Sequence, residues 1–313
     1  MRLTPKGFRR FKSSRLRHWK NIRPQDRECA PVQYLLLLFK AMRPNQWIKN
    51  LLVAAAPIAA GDFFKEIDQI FLGVAGFISA SIMGYLVNDW LDQEADRLHQ
   101  RKKFRPFASK QLKSRSFILL LVFNFTFTLN ICLVLPLEYS YTVLAYLIFT
   151  FTYSLYLKKK PVVEILWLAT GFLIRAIAGS TIIQESPTGW FLVSVWFGAL
   201  FIVSAKRVAE LERNQVSQTR QVINKYNQSF LDLVLTSSVS ITLLTYSLWV
   251  FQVYPESVLA QFTILPFALS IYLYSWHCEI GDAESPETLI YSDKLIIISA
   301  ITTVTLLAIV IYQ

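Results

Sequence analysis

Cysteine and charge are both scarce in this chain of 313 residues. The three cysteines, Cys29, Cys132 and Cys278, are odd in number and far apart, which excludes a disulfide framework and the paired spacing of a zinc site. Charged residues make up 17% of the chain, below the about 25% of ordinary soluble domains. The sequence therefore argues against both a small disulfide-rich secreted domain and a typical soluble enzyme.

Long hydrophobic runs, in contrast, dominate the chain. Hydrophobic residues account for 54% of it, with 23 Phe, 14 Tyr and 8 Trp. Several runs are long enough to cross about 30 Å of hydrocarbon as helices. We therefore predict an all-α polytopic membrane protein with about nine transmembrane helices. The predicted spans are residues 47–60, which is the shortest, 70–87, 117–135, 139–157, 162–183, 190–205, 230–251, 258–276 and 295–312.

The N-terminal residues differ from the rest in composition. Ten Lys and Arg among the first 30 residues face only Asp26 and Glu28, and they supply most of the net charge of +11. Next to a membrane, such an arm is expected to contact anionic lipid rather than nucleic acid. We therefore divide the chain into a basic arm, residues 1–31, and one transmembrane domain, residues 32–313. Within the domain, the apolar run at 32–39 is too short to span and predicts an interfacial helix.

The placement of the remaining charges predicts the orientation in the membrane. Nearly all other Lys and Arg lie in four predicted loops, at residues 88–116, 158–161, 206–229 and 277–294. The loops on the opposite side contain a single lysine, Lys65. The positive-inside rule therefore places the N-terminus and the four basic loops of this inner-membrane protein in the cytoplasm.

Three aspartates follow the second predicted span. Asp89, Asp92 and Asp96 are spaced i, i+3 and i+7, so on one helix their carboxylates lie within about 60° of one another. Hard oxygen ligands followed by Lys103 and Arg105 suit Mg²⁺ that carries a phosphorylated substrate. A solvated acidic helix end beside a basic loop is the alternative. The apolar run that ends immediately before these residues favours the metal site.

Arg175 is a charge inside a predicted span. The acid on the same span, Glu164, is eleven residues away, which is about 16 Å along a helix, so the two cannot pair. An intramembrane charge needs compensation by a substrate phosphate or by an acid from another helix. We favour the phosphate and keep the interhelical ion pair as the alternative. The nearby Gly171 and Gly179 are expected to be helix-packing residues.

Other polar residues cluster at the same predicted end of the spans. Lys49 and Asn50 stand at the base of the first span, where interfacial snorkelling and substrate contact are equally good explanations. Lys206 and Glu210 are one helical turn apart and can form a surface ion pair. These residues extend the candidate site beyond the aspartates.

Taken together, these motifs resemble a known family. The pattern Asn88-Asp89-x2-Asp92-x3-Asp96-x2-His99, followed by Arg105-Pro106, resembles the first Asp-rich motif of the UbiA prenyltransferase superfamily. Further stretches are similar to the decaprenyl-phosphate phosphoribosyltransferases of that superfamily. They are Arg43-Pro44-x-Gln46-Trp47-x-Lys49-Asn50, Tyr153-Ser154 through Lys158, Gly171-Phe172 through Arg175-Ala176-x-Ala178-Gly179, Lys206-Arg207-x2-Glu210-Leu211 and Pro286-Glu287 through Asp293.

The resemblance implies a UbiA-type helical bundle and a specific reaction. It implies Mg²⁺-dependent transfer of a 5-phosphoribosyl group from phosphoribosyl pyrophosphate to a polyprenyl phosphate at the cytoplasmic face, with release of pyrophosphate. The implied catalytic residues are Asp89, Asp92 and Arg175, and the implied Mg²⁺ ligands are Asp89, Asp92 and Asp96. The implied substrate-binding residues are Lys49, Asn88, Lys103, Arg105, Tyr153, Lys158, Glu164, Lys206, Arg207 and Glu210. The acceptor phosphate is expected near Lys49, Arg175 or the turn at 158–160.

One departure from the superfamily pattern points to the donor. Aromatic prenyltransferases of the superfamily have a second Asp-rich motif where this chain has Lys206-Arg207-Val208-Ala209-Glu210. One acidic motif with several cations suits a donor whose pyrophosphate is bound through Mg²⁺ and whose separate 5-phosphate needs Lys or Arg. Gln100, Lys110 and Glu164 also differ from the residues expected at those positions.

Two other functions remain open at this point. The first is an aromatic prenyltransferase that uses a prenyl diphosphate, and the missing second motif weighs against it. The second is a transporter of a phosphorylated anion, for which the sequence contains no inverted repeat. The length of the polyprenyl chain, the number of metal ions, the oligomeric state and the downstream pathway are left open by the sequence.

Overall fold

The described part of the protein is a bundle of α-helices. The computed structural model describes residues 31–99, 102–217, 225–279 and 293–312, so the basic arm and Pro286-Glu287 lie outside the described residues. The helices are α1 Pro31–Ala41, α2 Ala55–Ala60, α3 Ile67–Leu91, α4 Gln93–Leu98, α5 Ser114–Val134, α6 Leu137–Leu155, α7 Val163–Ile182, α8 Gly189–Ser217, α9 Gln228–Val253, α10 Val258–Phe262, α11 Ile264–Glu279 and α12 Lys294–Tyr312. A 3₁₀ helix, Pro44–Ala54, precedes α2.

Seven segments of the described chain are long and apolar enough to cross a membrane. They are α3, α5, α7, the Gly189–Leu211 part of α8, α9, the continuous stretch Val258–Glu279 and α12. The predicted all-α polytopic membrane fold is confirmed, whereas the count of nine spans is not. The predicted span 139–157 corresponds to α6, whose many Tyr, Ser and Thr residues lower its hydropathy. The predicted span 47–60 corresponds to the 3₁₀ helix and α2, which do not form one continuous α-helix.

Helix α3 is the centre of the first half of the bundle. It packs against α5, α6, α7 and the 3₁₀ helix, and 67% of its apolar 18-residue stretch is buried in the bundle. Small residues on α3 allow close approach, since a side chain added at Gly76 would overlap the hydroxyl of Tyr139. That hydroxyl donates to the carbonyl oxygen of Gly73 at 2.8 Å, so a buried tyrosine joins α6 to α3 through a backbone group.

The 3₁₀ helix packs closely on α7. Pro57 has no N–H, so the carbonyl oxygen of Val53 lacks the donor that an α-helix would give it. This carbonyl faces Gly179, where an added Cβ would overlap it. This contact explains the predicted packing role of Gly179. It also sets the position of the 3₁₀ helix along α7.

Polar residues collect at one end of the bundle because of the chain direction. Helices α3 and α6 end there, α7 begins there after a single 3₁₀ turn, Leu157–Lys159, and α8 returns to that end from the opposite side. Short helix α1 covers the same end, where its Tyr34 hydroxyl lies 3.0 Å from the Ser116 oxygen of α5. The loop between α4 and α5 also lies at this end. The residues predicted for the site are therefore brought within reach of one another.

The close packing at Gly179 gives a stability prediction. We expect Gly179→Ala to lower the free energy of unfolding by about 2 kcal/mol or more, because the new methyl group must displace backbone rather than a flexible side chain. Gly198→Ala is the matched control, since its Cβ would meet the Thr242 methyl at an ordinary distance of 3.5 Å. Thermal unfolding of the detergent-solubilised variants tests this, and equal melting temperatures for the two would contradict the packing argument.

Candidate active site

The Asp-rich segment is not one continuous helix. Helix α3 ends at Leu91 and α4 begins at Gln93, with Asp92 between them at φ −94 and ψ 7. The backbone N–H of Asp92 still donates to Asn88, and that of Asp96 to Asp92, at 3.0 and 2.8 Å. The three carboxylates therefore stay at the same end of the bundle. Their exposure differs, because Asp89 and Asp96 are buried, whereas the side chain of Asp92 is 30% exposed.

Two arginines hold the buried carboxylates. Arg105 Nη1 donates to Asp89 Oδ1 at 3.0 Å and to Asp96 Oδ2 at 2.6 Å, so one guanidinium bridges both acids. Arg43 makes a bidentate contact with Asp89, through Nε at 3.2 Å and through Nη2. Arg43 has a left-handed φ of 52, which turns the chain out of α1 and into the 3₁₀ helix that begins at Pro44. Our site prediction contained Arg105 but not Arg43, although Arg43-Pro44 opens one of the motifs in the sequence.

The third carboxylate pairs with a lysine from another helix connection. Lys158 Nζ donates to Asp92 Oδ1 at 2.5 Å and to Asn88 Oδ1 at 3.4 Å. Of the three lysines in this turn, Lys159 and Lys160 are exposed, and Lys158 is directed to the acids. Three carboxylates thus face three cations, Arg43, Arg105 and Lys158, and we refer to these six residues with Asn88 as the acidic cluster.

The donor atoms of the acidic cluster suit a hard cation. Arg105 Nη1 lies between oxygens of Asp89 and Asp96, and Lys158 Nζ lies between oxygens of Asp92 and Asn88. Each cation thus marks a position on which two oxygens converge. Carboxylate and amide oxygens are the ligands that Mg²⁺ takes. Within the described residues, no group of three acidic, histidine or cysteine side chains is arranged to hold a metal, and cations of the protein lie between the acids.

A second buried cluster lies between α7 and α8. Arg207 donates to both oxygens of Glu164, at 2.7 and 2.8 Å, and its Nη1 donates to Glu210 at 2.6 Å. Glu164 and Arg207 are buried, and Tyr153 donates to the same carboxylate at 3.3 Å. Removing one partner of such a pair is strongly destabilising, by about 3–5 kcal/mol. The sequence predicted that Glu164 cannot pair with Arg175. In the structure, the partner of Glu164 is Arg207.

Tyr226 completes this second cluster and was not among the predicted site residues. Its hydroxyl donates to Glu164 at 3.4 Å and accepts from the backbone N–H of Val162 at 2.9 Å. Val162 has a φ of 63, an unusual conformation for a β-branched residue that this hydrogen bond helps to hold. Burial, followed by the charge of Glu164, raises the pKa of Tyr226 to about 12, so the phenol stays protonated at neutral pH.

Arg175 lies deeper in the bundle and has neutral partners. Its guanidinium donates to Asn50 at 2.9 Å, to the carbonyl of Gly171 at 2.8 Å and to the hydroxyl of Tyr146 at 2.7 Å, with a longer contact to Ser81 at 3.4 Å. Its charged carbon also lies 4.7 Å from the centre of the Tyr146 ring. Among the described residues no carboxylate pairs with it, so the interhelical ion pair is absent from that part of the chain.

The structure does not bring Arg175 into contact with the acidic cluster. Ser81 and Asp89 are both on α3, eight residues apart, which places the Arg175 network about 12 Å along the helix axis from the aspartates. Asn50, which accepts from Arg175, is buried in the same network and is not an interfacial residue. The catalytic role of Arg175 therefore stays a prediction.

The remaining predicted lysines lie around these clusters. Lys49 donates to the side chain of Gln46 at 2.5 Å on the 3₁₀ helix. Lys103 is exposed, with its ammonium 5.2 Å from the centre of the Phe104 ring. Lys206 is partly buried and is adjacent in sequence to Arg207. None of these three is part of the acidic cluster as defined above.

Comparison with proteins of known sequence identifies the same family as the sequence motifs do. The sequence profile described as the UbiA prenyltransferase family matches residues 51–309. A protein of Corynebacterium glutamicum named decaprenyl-phosphate phosphoribosyltransferase is 31% identical over 88% of this chain and 86% of its own length. A protein of Mycobacterium tuberculosis with the same name is 32% identical over 85% of this chain and 91% of its own length.

Solved structures share the fold. A UbiA homolog from Archaeoglobus fulgidus, bound to GPP and Mg²⁺, superposes with a TM-score of 0.68 at 18% identity and covers 88% of this chain and 100% of its own. A UbiA homolog from Aeropyrum pernix K1 gives a TM-score of 0.58 at 14% identity, with coverage of 89% and 98%. The chain therefore belongs to the UbiA prenyltransferase family and is an integral membrane transferase.

Proposed function

We propose that this protein transfers a 5-phosphoribosyl group from phosphoribosyl pyrophosphate to a polyprenyl phosphate and releases pyrophosphate. The observation that carries the proposal is the acidic cluster, in which three carboxylates and three cations meet at one end of a membrane bundle. The names of relatives at 31% and 32% identity agree with the transferred phosphoribosyl group and with a polyprenyl phosphate acceptor. A reaction between two phosphorylated substrates needs both signs of charge in this arrangement.

The residues around Arg207 favour phosphoribosyl pyrophosphate over a prenyl diphosphate as the donor. At the position of a second Asp-rich motif, this chain has Arg207 held between Glu164 and Glu210. This arrangement lacks the paired aspartates that would bind a second metal on a prenyl diphosphate. An aromatic prenyltransferase remains the rival function, since a solved family member is bound to GPP and Mg²⁺. Membership of a transferase family argues against the transporter.

The proposed reaction is a single displacement at the anomeric carbon of the ribosyl group. An oxygen of the acceptor phosphate forms the new bond to that carbon, and the bond from the carbon to the pyrophosphate oxygen breaks with its electron pair. The acceptor phosphate is largely ionised near neutral pH, since its second pKa is about 6, so no strong general base is needed. The configuration at the carbon is therefore inverted, and catalysis depends on positioning and fixed charge.

Asp89, Asp92 and Asp96 would hold Mg²⁺ on the leaving pyrophosphate. Bound there, the ion would act as a Lewis acid that stabilises the departing charge. Asn88 would supply an additional oxygen, as it now does for Lys158. The fit rests on the converging oxygens of the acidic cluster.

The cations of the acidic cluster would bind the substrate phosphates. Lys158 and Arg105 are attached to loops, and in the present structure they neutralise the carboxylates. Phosphate oxygens accept charge-assisted hydrogen bonds of the same kind as carboxylates do. We therefore expect Lys158 to move from Asp92 to a phosphate of the donor, and Arg105 to move from Asp96 to a substrate phosphate, which frees these aspartates for the metal. Donor binding and metal binding are coupled in this scheme.

The proposed site faces the cytoplasm. The loops at this end of the bundle contain most of the Lys and Arg outside the N-terminal arm, which the positive-inside rule places in the cytoplasm. Lys49, Lys103 and Lys206 surround the clusters and are proposed to add to the attraction for phosphate. The isoprenoid tail of the acceptor would lie among or along the membrane helices.

The metal assignment is tested most directly by Asp92→Asn. Asp92 is the most exposed of the three carboxylates and pairs with one lysine only, so the substitution should leave the fold intact. We expect turnover to fall by roughly 100-fold or more, as when one charge-stabilising group is lost from a transition state. The measurements are kcat from transfer of labelled ribose and the thermal melting temperature. Asp89→Asn is less informative, since it leaves two arginines without their acid.

A second variant separates metal binding from general damage. Lys158→Gln removes the ammonium that competes for Asp92, so Mg²⁺ should bind the donor-free protein at least about twofold more tightly while the KM for the donor rises. Lys113→Gln, an exposed cation that is not part of the acidic cluster, is the control. Near wild-type turnover of Asp92→Asn, or weaker Mg²⁺ binding by Lys158→Gln, would contradict the assignment.

The donor is identified by the product. Membranes containing the protein, supplied with Mg²⁺, polyprenyl phosphate and labelled phosphoribosyl pyrophosphate, should transfer label to the lipid phase. The parallel assay contains prenyl diphosphate and an aromatic acid. If only the second assay gives product, the rival function is correct.

Arg175→Lys tests the role of the deep arginine. A lysine keeps the charge but cannot reach Asn50, Gly171 and Tyr146 together, so we expect lower thermal stability. If Arg175 also binds a substrate phosphate, turnover per folded molecule should fall at least about tenfold, and phosphoribosyl pyrophosphate should no longer raise the melting temperature. A variant that is less stable but fully active, and is still stabilised by the donor, would restrict Arg175 to a structural role.

A further inference from the structure

A cavity lined partly by cationic side chains opens beside the acidic cluster, at the junction of α1 and the 3₁₀ helix. Its volume is about 470 Å³, which exceeds what a phosphate group needs. The lining residues that matter here are Phe39, Lys40, Arg43, Asn45, Gln46 and Arg105. Three of these side chains are cationic, two are amides, and none is acidic. The cavity is therefore built from hydrogen-bond donors.

The cavity has an excess of positive charge. Arg43 and Arg105 share the carboxylate of Asp89, and Arg105 also contacts Asp96. Lys40 is exposed, and its side-chain ammonium has no hydrogen bond or ion pair to any residue in the described part of the chain. Three cations thus face two carboxylates, so an anion in the cavity would restore the balance. Arg and Lys side chains in this arrangement recognise phosphate.

An apolar stripe on α1 leads to the cavity. Val32, Leu35, Leu36 and Phe39 are spaced i, i+3, i+4 and i+7, so they form one face of the helix. All four are exposed, whereas the opposite face packs on the bundle through residues such as Leu38. Phe39 belongs to both the stripe and the cavity lining. An apolar surface therefore ends at a cationic pocket.

We propose that the cavity binds the phosphate group of the polyprenyl phosphate acceptor and that the stripe on α1 binds the first part of its isoprenoid chain. This inference rests on the proposed function and specifies the acceptor side of the same site. It differs from the sequence expectation, which put the acceptor phosphate near Lys49, Arg175 or the turn at 158–160. In the structure, Arg175 is enclosed by neutral partners, and Lys158 is bonded to Asp92.

The position of the two arginines connects this pocket to the reaction. Arg43 and Arg105 each touch the cavity on one side and Asp89 on the other. An acceptor phosphate held in the cavity is thus one guanidinium away from the carboxylates assigned to the donor pyrophosphate. The arginines would orient its oxygen toward the anomeric carbon. The soluble donor has no use for the apolar stripe, which favours the lipid acceptor as the occupant.

The first experiment measures binding without any reaction. Farnesyl phosphate is titrated into the detergent-solubilised protein in the absence of donor, and the dissociation constant is measured by calorimetry. We expect Lys40→Gln to weaken binding by about tenfold, the size of a lost hydrogen bond between charged groups. Lys113→Gln, also an exposed lysine at this end, is the matched control. Lys40 is exposed, so its substitution should not affect folding.

The second experiment separates the head group from the tail. Leu36→Asn should raise the KM for a long-chain polyprenyl phosphate severalfold and leave that for dimethylallyl phosphate within about twofold, because a chain must extend beyond its first isoprene unit to pass Phe39 and reach Leu36. Lys40→Gln should raise the KM for both acceptors. In neither variant should the KM for phosphoribosyl pyrophosphate change by more than about twofold.

Several outcomes would overturn the inference. Equal binding of farnesyl phosphate by Lys40→Gln and the wild type would show that the cavity does not bind the acceptor phosphate. The proposed function would still stand if labelled ribose were transferred to the lipid. A rise in the KM of Lys40→Gln for phosphoribosyl pyrophosphate would show that the cavity binds the donor. Competition by an equal concentration of phosphatidylglycerol would show a general lipid contact. Failure of the wild type both to bind farnesyl phosphate and to label lipid would overturn the proposed function as well.

Discussion

The carboxylate of Asp89 is the group on which the arrangement of this site depends. It is buried near the end of α3, where an ionised carboxylate without partners would be destabilised by several kcal/mol. Arg43 comes from the start of the 3₁₀ helix and Arg105 from the loop before α5, and both contact this one group. Three separate segments are thereby held together. The same contacts shape the cavity beside α1, because its walls include the two arginines that Asp89 positions.

The polar groups change character with depth in the bundle. At its end, carboxylates and cations are paired, and Asp92 with Lys158 is partly exposed. The pair of Glu164 and Arg207 is buried and is completed by tyrosine hydroxyls. Deeper still, Arg175 has amide, hydroxyl and carbonyl partners in place of acids. The ion pairs near the surface can exchange partners at small cost, whereas the deep network is suited to holding helices in place.

A self-neutralised site has a functional advantage for an enzyme with two phosphorylated substrates. Asp92, Asp96 and their cations carry little net charge before substrate arrives, so the folded protein is not strained by like charges. Substrate phosphates and a divalent ion bring opposite charges of their own. In the proposed reaction, exchange of partners would then create the cation and anion positions that the chemistry needs. Lys40 differs from these residues, since no described residue neutralises it.

Much of the fold was predictable from the sequence, because burial in lipid requires long apolar helices whatever their partners are. The Asp-rich motif and the isolation of Glu164 from Arg175 also follow from local spacing, whereas Lys158 was predicted from the family resemblance. Two predicted spans are not among the seven long apolar helices of the described chain, because the first is divided between the 3₁₀ helix and α2, and polar side chains lower the hydropathy of α6.

What the tertiary structure alone decided is which charges meet. The partners of Asp89 are 46 and 16 residues away in sequence, and the partner of Glu164 is 43 residues away. Such pairs depend on how helices pack and where loops return, and no local pattern encodes them. The residue types and their end of the bundle were therefore set by the sequence. Their pairing, and the open cationic cavity next to α1, arise from the packing of segments that are distant in the chain.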